Sequence, residues 1–386
     1  MQRRDFLRTL GLAPLALSVP NLAFAAAPGA DYRNLLVLVE LKGGNDGLNT
    51  VVPYADPSYY RLRPRLGIRR EEVMQLDDQV GLHPALQPLL SLWQARELAI
   101  VQGVGYPAPN LSHFRSIEIW DTASPSDVYL SEGWLTRTFQ SRPVPQAFAA
   151  DGVVIGSQDM GPLTGTGARA IALANTEQFL RQARLADDAA AKSRNGALAH
   201  ILKVEGDIVQ AASGLAGSHT FRTEFPAGPF GNALKTAAQV VAGKAGVAVV
   251  RVTHNGFDTH NGQPGVHQRL LKELAEGLAA FKGALQEIDR WDSTLMMTYA
   301  EFGRRAQENG SLGTDHGTAS AHFVLGGKVK GGLHGQAPSL TRLEGDNLLH
   351  TVDFRSLYAT AIDKWWGADS KAALNGKFTP LDLIRA

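Results

Sequence analysis

Five runs along the chain are apolar at nearly every position and rich in β-branched residues: NLLVLVEL (34–41), ELAIVQGV (97–104), VAVVRVTH (247–254), TLMMTYA (294–300) and HFVLGG (322–327). A strand with one wet face alternates apolar and polar residues. Continuous runs such as these read as strands buried on both sides. Between them the spacing becomes helical. HPALQPLLSLWQARE (83–97) repeats apolar residues at Leu86, Leu89, Leu90 and Trp93, and Val266 to Trp291 sets Leu270, Leu271, Leu274, Leu278 and Phe281 on one stripe. TVDFRSLYATAIDKWW (351–366) predicts a late helix. Strands alternating with helices predict an α/β fold, with a central, mostly parallel sheet flanked by helices on both faces. Residues 186–230 are rich in small side chains and poor in strand pattern, and read as a helical insertion within a single domain over 26–386.

The first residues stand apart from that domain. MQRRDFLRTLGLAPLALSVPNLAFAAAPG carries Arg3-Arg4, an apolar run from Leu10 to Val19 and Ala23-Phe24-Ala25, the pattern of a twin-arginine (Tat) signal peptide over 1–25. The run is too short for a stable membrane span, so the expected location is periplasmic or secreted. Loss of 1–25 removes three arginines and one aspartate and turns a formal charge of +1 into −1. That balance predicts no nucleic-acid partner. The chain has no cysteine, which excludes disulfides, thiolate metal sites and a cysteine nucleophile.

In a parallel sheet, ligands bind beyond the carboxyl ends of the strands, and three of the runs lead into polar, glycine-rich loops there. The first is KGGNDGLN (42–49), where Asp46 is either a ligand or a turn residue; the loop lacks the GxGxxG and P-loop patterns, so no nucleotide cofactor is expected. The second, NGFDTH (255–260), places Asp258 and His260 two apart, facing one way in extended chain. They read as metal ligands, or as a hydrogen-bonded histidine and a cap for the helix starting near Gln263. The third is EFGRR, with Glu301 as an acid and Arg304 and Arg305 as clamps for an oxyanion, or all three as a salt-bridged loop. It runs on to ENGSLGTDHGT (308–318), where Asp315-His316 adds an oxygen and an imidazole, a pairing suited to a divalent metal. In YPAPNLSHFRSIEIW (106–120), Ser112-His113 opens a helix. Ser112 is a candidate nucleophile in the positive field of a helix start, or simply a cap, and His113 is a ligand or base.

The leader, ELKGGNDGLNTVVPY, PNLSHFRSIEIW, GFDTHNGQ and EFGRRAQENGSLGTDHGTA together resemble the exported bacterial family catalogued as domain of unknown function 1501, which looks like a distant branch of the alkaline phosphatase and sulfatase superfamily. The resemblance implies an alkaline-phosphatase-like fold and a two-metal site. Asp46 would match the first-strand ligand, Ser112 the nucleophile, Asp258 with His260 and Asp315-His316 further ligands, and His334 in GGLHGQ a final histidine. The implied activity is metal-dependent hydrolysis of a phosphate or sulfate ester, small or glycan-linked, with zinc, manganese or calcium as the metal. Departures in spacing, such as two glycines and an asparagine ahead of Asp46, motivate a second expectation: an envelope binding or assembly protein with a degenerate site.

Overall fold

The apolar runs do form buried strands. A computed structural model describes residues 30–173, 219–243 and 246–385; the expected signal peptide (1–25) and residues 186–218 of the expected insertion lie outside them. Within the described part of that insertion, 219–228 is irregular chain leading into a helix at Pro229.

The main sheet has nine strands among the described residues: β1 (Leu35–Lys42), β2 (Leu98–Gly105), β3 (Ala150–Ile155), β4 (Ala170–Leu173), β5 (Val247–Asn255), β6 (Thr294–Tyr299), β7 (Ser320–Leu325), β8 (Gly332–His334) and β9 (Val352–Asp353). Their spatial order is β8-β2-β7-β6-β1-β5-β3-β4, with β9 also pairing with β2. Every pairing is parallel except those of β7, which runs against both neighbours. Strand β1 is central, with Leu36 opposite Val249 of β5 and Leu295 of β6.

Alternate residues of β1 enter two separate cores. Leu35, Val37, Val39 and Leu41 pack under α3 (Pro229–Ala242) and α4 (Gln263–Glu287), while Leu36 and Leu38 face a layer holding Trp120, Trp134 and Tyr358 from α1 (His113–Thr122), α2 (Trp134–Ser141) and α5 (Phe354–Ala359). Helices therefore cover both faces. Each leucine buried on the α4 stripe contributes about 1.5–3 kcal/mol.

Two expected helices are irregular. The 83–97 segment is a 3-10 turn (Pro84–Leu89) followed by a short α-helix (Leu90–Gln94), because Pro84 and Pro88 each lack an N–H and Pro88 crowds the preceding turn. The 351–366 segment opens with β9, continues as α5 and ends as one π-helical stretch, Thr360–Trp365.

The sheet also holds a charged pair in its interior. Arg251 on β5 meets Glu40 on β1 at 2.8 Å and the Tyr299 hydroxyl on β6 at 2.7 Å, with both charges fully buried. Among the described residues, no helix is long and apolar enough to cross a membrane.

Candidate metal centre

The carboxyl ends of β1, β5 and β6 open into adjacent loops. The reversed direction of β7 brings its leading segment, 308–319, to the same end. This is why Asp315-His316 precedes a strand while the other polar motifs follow one. Two glycines allow the loops to touch. Gly43 has φ +117°, and a Cβ there would lie 2.3 Å from the Asp258 backbone nitrogen; a Cβ at Gly313 would lie 2.2 Å from the His260 carbonyl. No other residue fits either place.

Ligand-type atoms of His113, Asp258 and His316 all lie within 4.8 Å of one another, a group able to hold a metal ion. His260 joins them, with its Nε2 2.9 Å from His316 Nε2 and 3.0 Å from Asp258 Oδ1. The partners assign the tautomers. His316 Nδ1 lies 2.8 Å from the Leu111 carbonyl, which can only accept, so Nδ1 holds the proton and Nε2 a lone pair. His113 Nδ1 is 2.8 Å from Glu301 Oε1, a carboxylate oxygen that accepts its proton, and its Nε2 faces Asp258 Oδ2 at 3.4 Å. His260 Nδ1 faces Asp315 Oδ1 at 3.3 Å. Three imidazole Nε2 atoms thus lie around one carboxylate, an arrangement of nitrogen and oxygen donors that a divalent cation can take up. Outer partners that fix ring orientation in this way are a recurrent feature of metal-binding histidines.

The surroundings tune the group. The Glu301 hydrogen bond raises the pKa of His113, whereas burial lowers that of His316 and keeps it neutral. Burial opposes the ionisation of Asp258, yet the hydrogen bond and charge of Arg304 outweigh it and hold the carboxyl below its usual range. Asp315 is also held low, first by Asn309 and then by His260. Beneath the cluster, the buried Phe302 ring lies 4.9 Å from the His113 ring and 4.5 Å from that of His316.

Other residues singled out from the sequence are placed differently. Asp46 is buried away from this group: its Oδ2 takes Arg63 Nη1 at 2.6 Å and Gln263 Nε2 at 2.5 Å, and its Oδ1 accepts from the Asn49 N–H. Three protein donors thus hold its two oxygens, two of them on Oδ2. Arg304 is not available as an oxyanion clamp. Its Nε donates to the Gly44 carbonyl, Nη1 to Thr314, and Nη2 to the carbonyls of Gly43 and Phe257 and to Asp258 Oδ1 at 2.7 Å. Arg305 is half-exposed and lies 3.9 Å from Asp346. Glu301 is buried, accepts from the Gly43 N–H at 2.9 Å, and holds His113. Ser112 is the N-cap residue of α1, exposed, with no capping bond from its hydroxyl; the Asn110 side chain accepts from the Ser112 N–H instead. His334 is on the outer edge of the sheet beside Val101, bonded to the Lys330 carbonyl. That is mid-strand on β2, away from its carboxyl end.

Sequence reasoning missed Arg63, Gln263 and Phe302. Phe302 lies inside the EFGRR motif and could have been flagged as a floor for adjacent rings. Arg63 carries no local signal, since its partner Asp46 is 17 positions away.

No curated protein matches the sequence. Solved structures to which this fold is similar include a protein in the alkaline phosphatase superfamily from Vibrio parahaemolyticus (10% identity, 89% of this chain and 69% of that one, TM-score 0.43), PsFucS1 sulfatase from Pseudoalteromonas sp. (11%, 90% and 70%, 0.43) and the C-terminal periplasmic domain of EcEptC from Escherichia coli (8%, 91% and 90%, 0.43). One family covers nearly the whole chain, matching residues 33–376, and the chain belongs to it: "Protein of unknown function (DUF1501)".

Proposed function

We propose that the protein is an exported, metal-dependent hydrolase of a phosphate or sulfate ester, with Ser112 as nucleophile. The observation that carries this reading is the convergence of His113, His260 and His316 Nε2 on the Asp258 carboxylate. These four residues would hold one divalent ion. Three imidazoles and one carboxylate suit zinc or manganese better than calcium, which takes oxygen ligands. The ion would supply Lewis-acid polarisation of the ester and neutralise its negative charge.

The chain's own residues do the rest. Glu301 and the Leu111 carbonyl keep the protons of His113 and His316 on the far ring nitrogens. Arg304 holds Asp258 ionised and fixed. Ser112, one residue before His113 and free of capping duty, would attack the phosphorus or sulfur atom through Oγ, losing its proton to solvent while the ester's alcohol oxygen departs and is protonated. Water then releases phosphate or sulfate and restores the hydroxyl. The first-turn N–H groups of α1 lack intrahelical acceptors and supply donors for the ester's anionic oxygens. The substrate is a small or glycan-linked anionic ester.

One observation favours a second reading, in which the centre binds its anion without turnover. Arg304 is tied to backbone carbonyls and to Asp258, so it does not offer an ester the cationic clamp expected to stabilise a transition state. Metal content by mass spectrometry, with aryl phosphate and aryl sulfate hydrolysis by wild type, Asp258→Asn and Ser112→Ala, separates the two. The hydrolase predicts metal and turnover in wild type, loss of both in Asp258→Asn, and loss of turnover alone, by at least about 100-fold, in Ser112→Ala. Bound metal with no turnover of either ester class would favour the binding protein.

A further inference from the structure

Besides Arg304, a second side chain touches both loops that bring the cluster together. Gln263, the first residue of α4, is fully buried. Its Oε1 accepts from Thr259 Oγ1 at 3.1 Å and from Thr314 Oγ1 at 2.7 Å, using both lone pairs. Thr259 separates Asp258 from His260, and Thr314 immediately precedes Asp315-His316. The amide nitrogen points the other way, to Asp46 Oδ2 at 2.5 Å. Asp46 is itself clamped by Arg63, whose remaining donors reach Asn49 Oδ1 at 2.6 Å and the carbonyls of Ala306 and Arg305 at 2.9 and 3.0 Å. The amide orientation follows from this arrangement, because only a donor can face the carboxylate and only an acceptor can take two hydroxyls.

We propose that Gln263, anchored by the Asp46–Arg63 pair, is a positioning residue. It sets the separation of loops 258–260 and 314–316 and so determines the metal affinity of the cluster. Asp46 serves the centre as this anchor and not as a ligand, which leaves a one-ion site. The inference rests on the metal-centre reading above.

Two arguments support it. A fully buried ion pair adds little net stability over apolar packing of the same volume, so stability alone does not account for placing one behind an amide bridge. Metal ligands, by contrast, must be held to within a few tenths of an ångström of their working distances. The loops also stay in contact without the Gln263 side chain, through backbone bonds from Gln263 N to the Leu312 carbonyl (2.8 Å) and from Thr314 N to the Thr259 carbonyl (3.2 Å). Removing the side-chain bridge therefore loosens the spacing while leaving the loops docked.

The test measures zinc affinity by competition with a chromophoric chelator, zinc stoichiometry, and melting of the chelator-treated protein. The proteins compared are wild type, Gln263→Leu, Thr314→Val, Thr314→Ser and Asp258→Asn. Wild type is expected to bind one equivalent, and Asp258→Asn to lose it. Gln263→Leu and Thr314→Val are expected to bind one equivalent roughly 10–100-fold more weakly, the range seen for outer-shell changes. Thr314→Ser, which keeps the hydroxyl, should restore the affinity. Should Gln263→Leu fail to fold, Thr314→Val decides, since it deletes a single hydrogen bond. Wild-type affinity in both Gln263→Leu and Thr314→Val overturns the positioning role while leaving the metal centre intact. Two equivalents in wild type overturn the one-ion site. No zinc in wild type overturns the metal-centre reading itself.

Discussion

Asp46 and Asp258 follow neighbouring strands, each beside an arginine, and they end in opposite states. Asp46 is buried, its two oxygens filled by Arg63, Gln263 and the Asn49 N–H. Asp258 has a side chain 46% exposed; Arg304 takes Oδ1, while Oδ2 faces His113 Nε2. The two arginines differ in the same way. Arg63 needs Asp46 as its charge partner, whereas Arg304 divides itself among four backbone carbonyls and would keep them without Asp258. The same pair of residue types therefore builds a structural lock in one loop and an open ligand in the next. What decides is how many lone pairs remain after the protein's own donors are satisfied.

The largest effect should come from breaking the lock. Arg63→Ala leaves the Asp46 charge buried and unpaired, at a cost of about 3–5 kcal/mol, measurable by urea denaturation of chelator-treated protein. Asp258→Asn should cost less than about 1 kcal/mol in the same assay, as for other partly exposed ion pairs. Equal losses in the two variants would erase the contrast.

On metal affinity the ranking reverses. Asp258→Asn or His316→Ala should weaken zinc binding by more than about 100-fold, beyond the range of outer-shell changes, and Asp315→Ala by roughly 10–100-fold through the His260 ring it orients. If Asp315→Ala proved as damaging as Asp258→Asn, Asp315 would be a ligand and its placement outside the cluster would be wrong.

A pH series sharpens the comparison further. Burial lowers His83 and His267 to about 4 and His322 to about 3, all below the unfolded value near 6.5. Below that value the unfolded chain binds protons that the folded chain refuses. Stability is therefore unaffected above pH 6.5 and falls as pH drops from 6.5 toward 4, by up to about 1.4 kcal/mol per pH unit for each such group. His322, with no hydrogen-bond partner for either ring nitrogen among the described residues, is the cleanest probe. His322→Leu should flatten the acid limb of a thermal melt series and leave melting at pH 8 nearly unchanged. An acid limb as steep as that of wild type would mean that other groups dominate it.

The smallest effect is expected at Arg305. Its half-exposed pairing with Asp346 at 3.9 Å is worth about 0–1 kcal/mol. Arg305→Ala should melt within a few degrees of wild type and keep its zinc affinity within about threefold, the usual scale for a surface change.

Much of the architecture was legible in the chain. The five apolar runs match β1, β2, β5, β6 and β7 to within two residues at either end. Strands β3 and β4 escaped notice because ADGVVI and AIAL are short and begin with small or polar residues. The rule that ligands bind at strand ends singled out the loops carrying Asp258, His260, Asp315 and His316, which the structure brings close together, while His113 comes from the start of α1.

The division of labour inside the loops was not legible. Local pattern determined the fold class, since strand and helix periodicity are properties of neighbouring residues and burial simply reads them out. It also determined which loops carry carboxylates and imidazoles. Only the tertiary structure decided which of those groups keep a free lone pair. Arg63 reaches Asp46 from 17 positions away, Gln263 from 217, and Arg304 gathers carbonyls from 10 to 261 positions away. A hydrogen bond depends on distance in space, and no one-dimensional spacing records that distance.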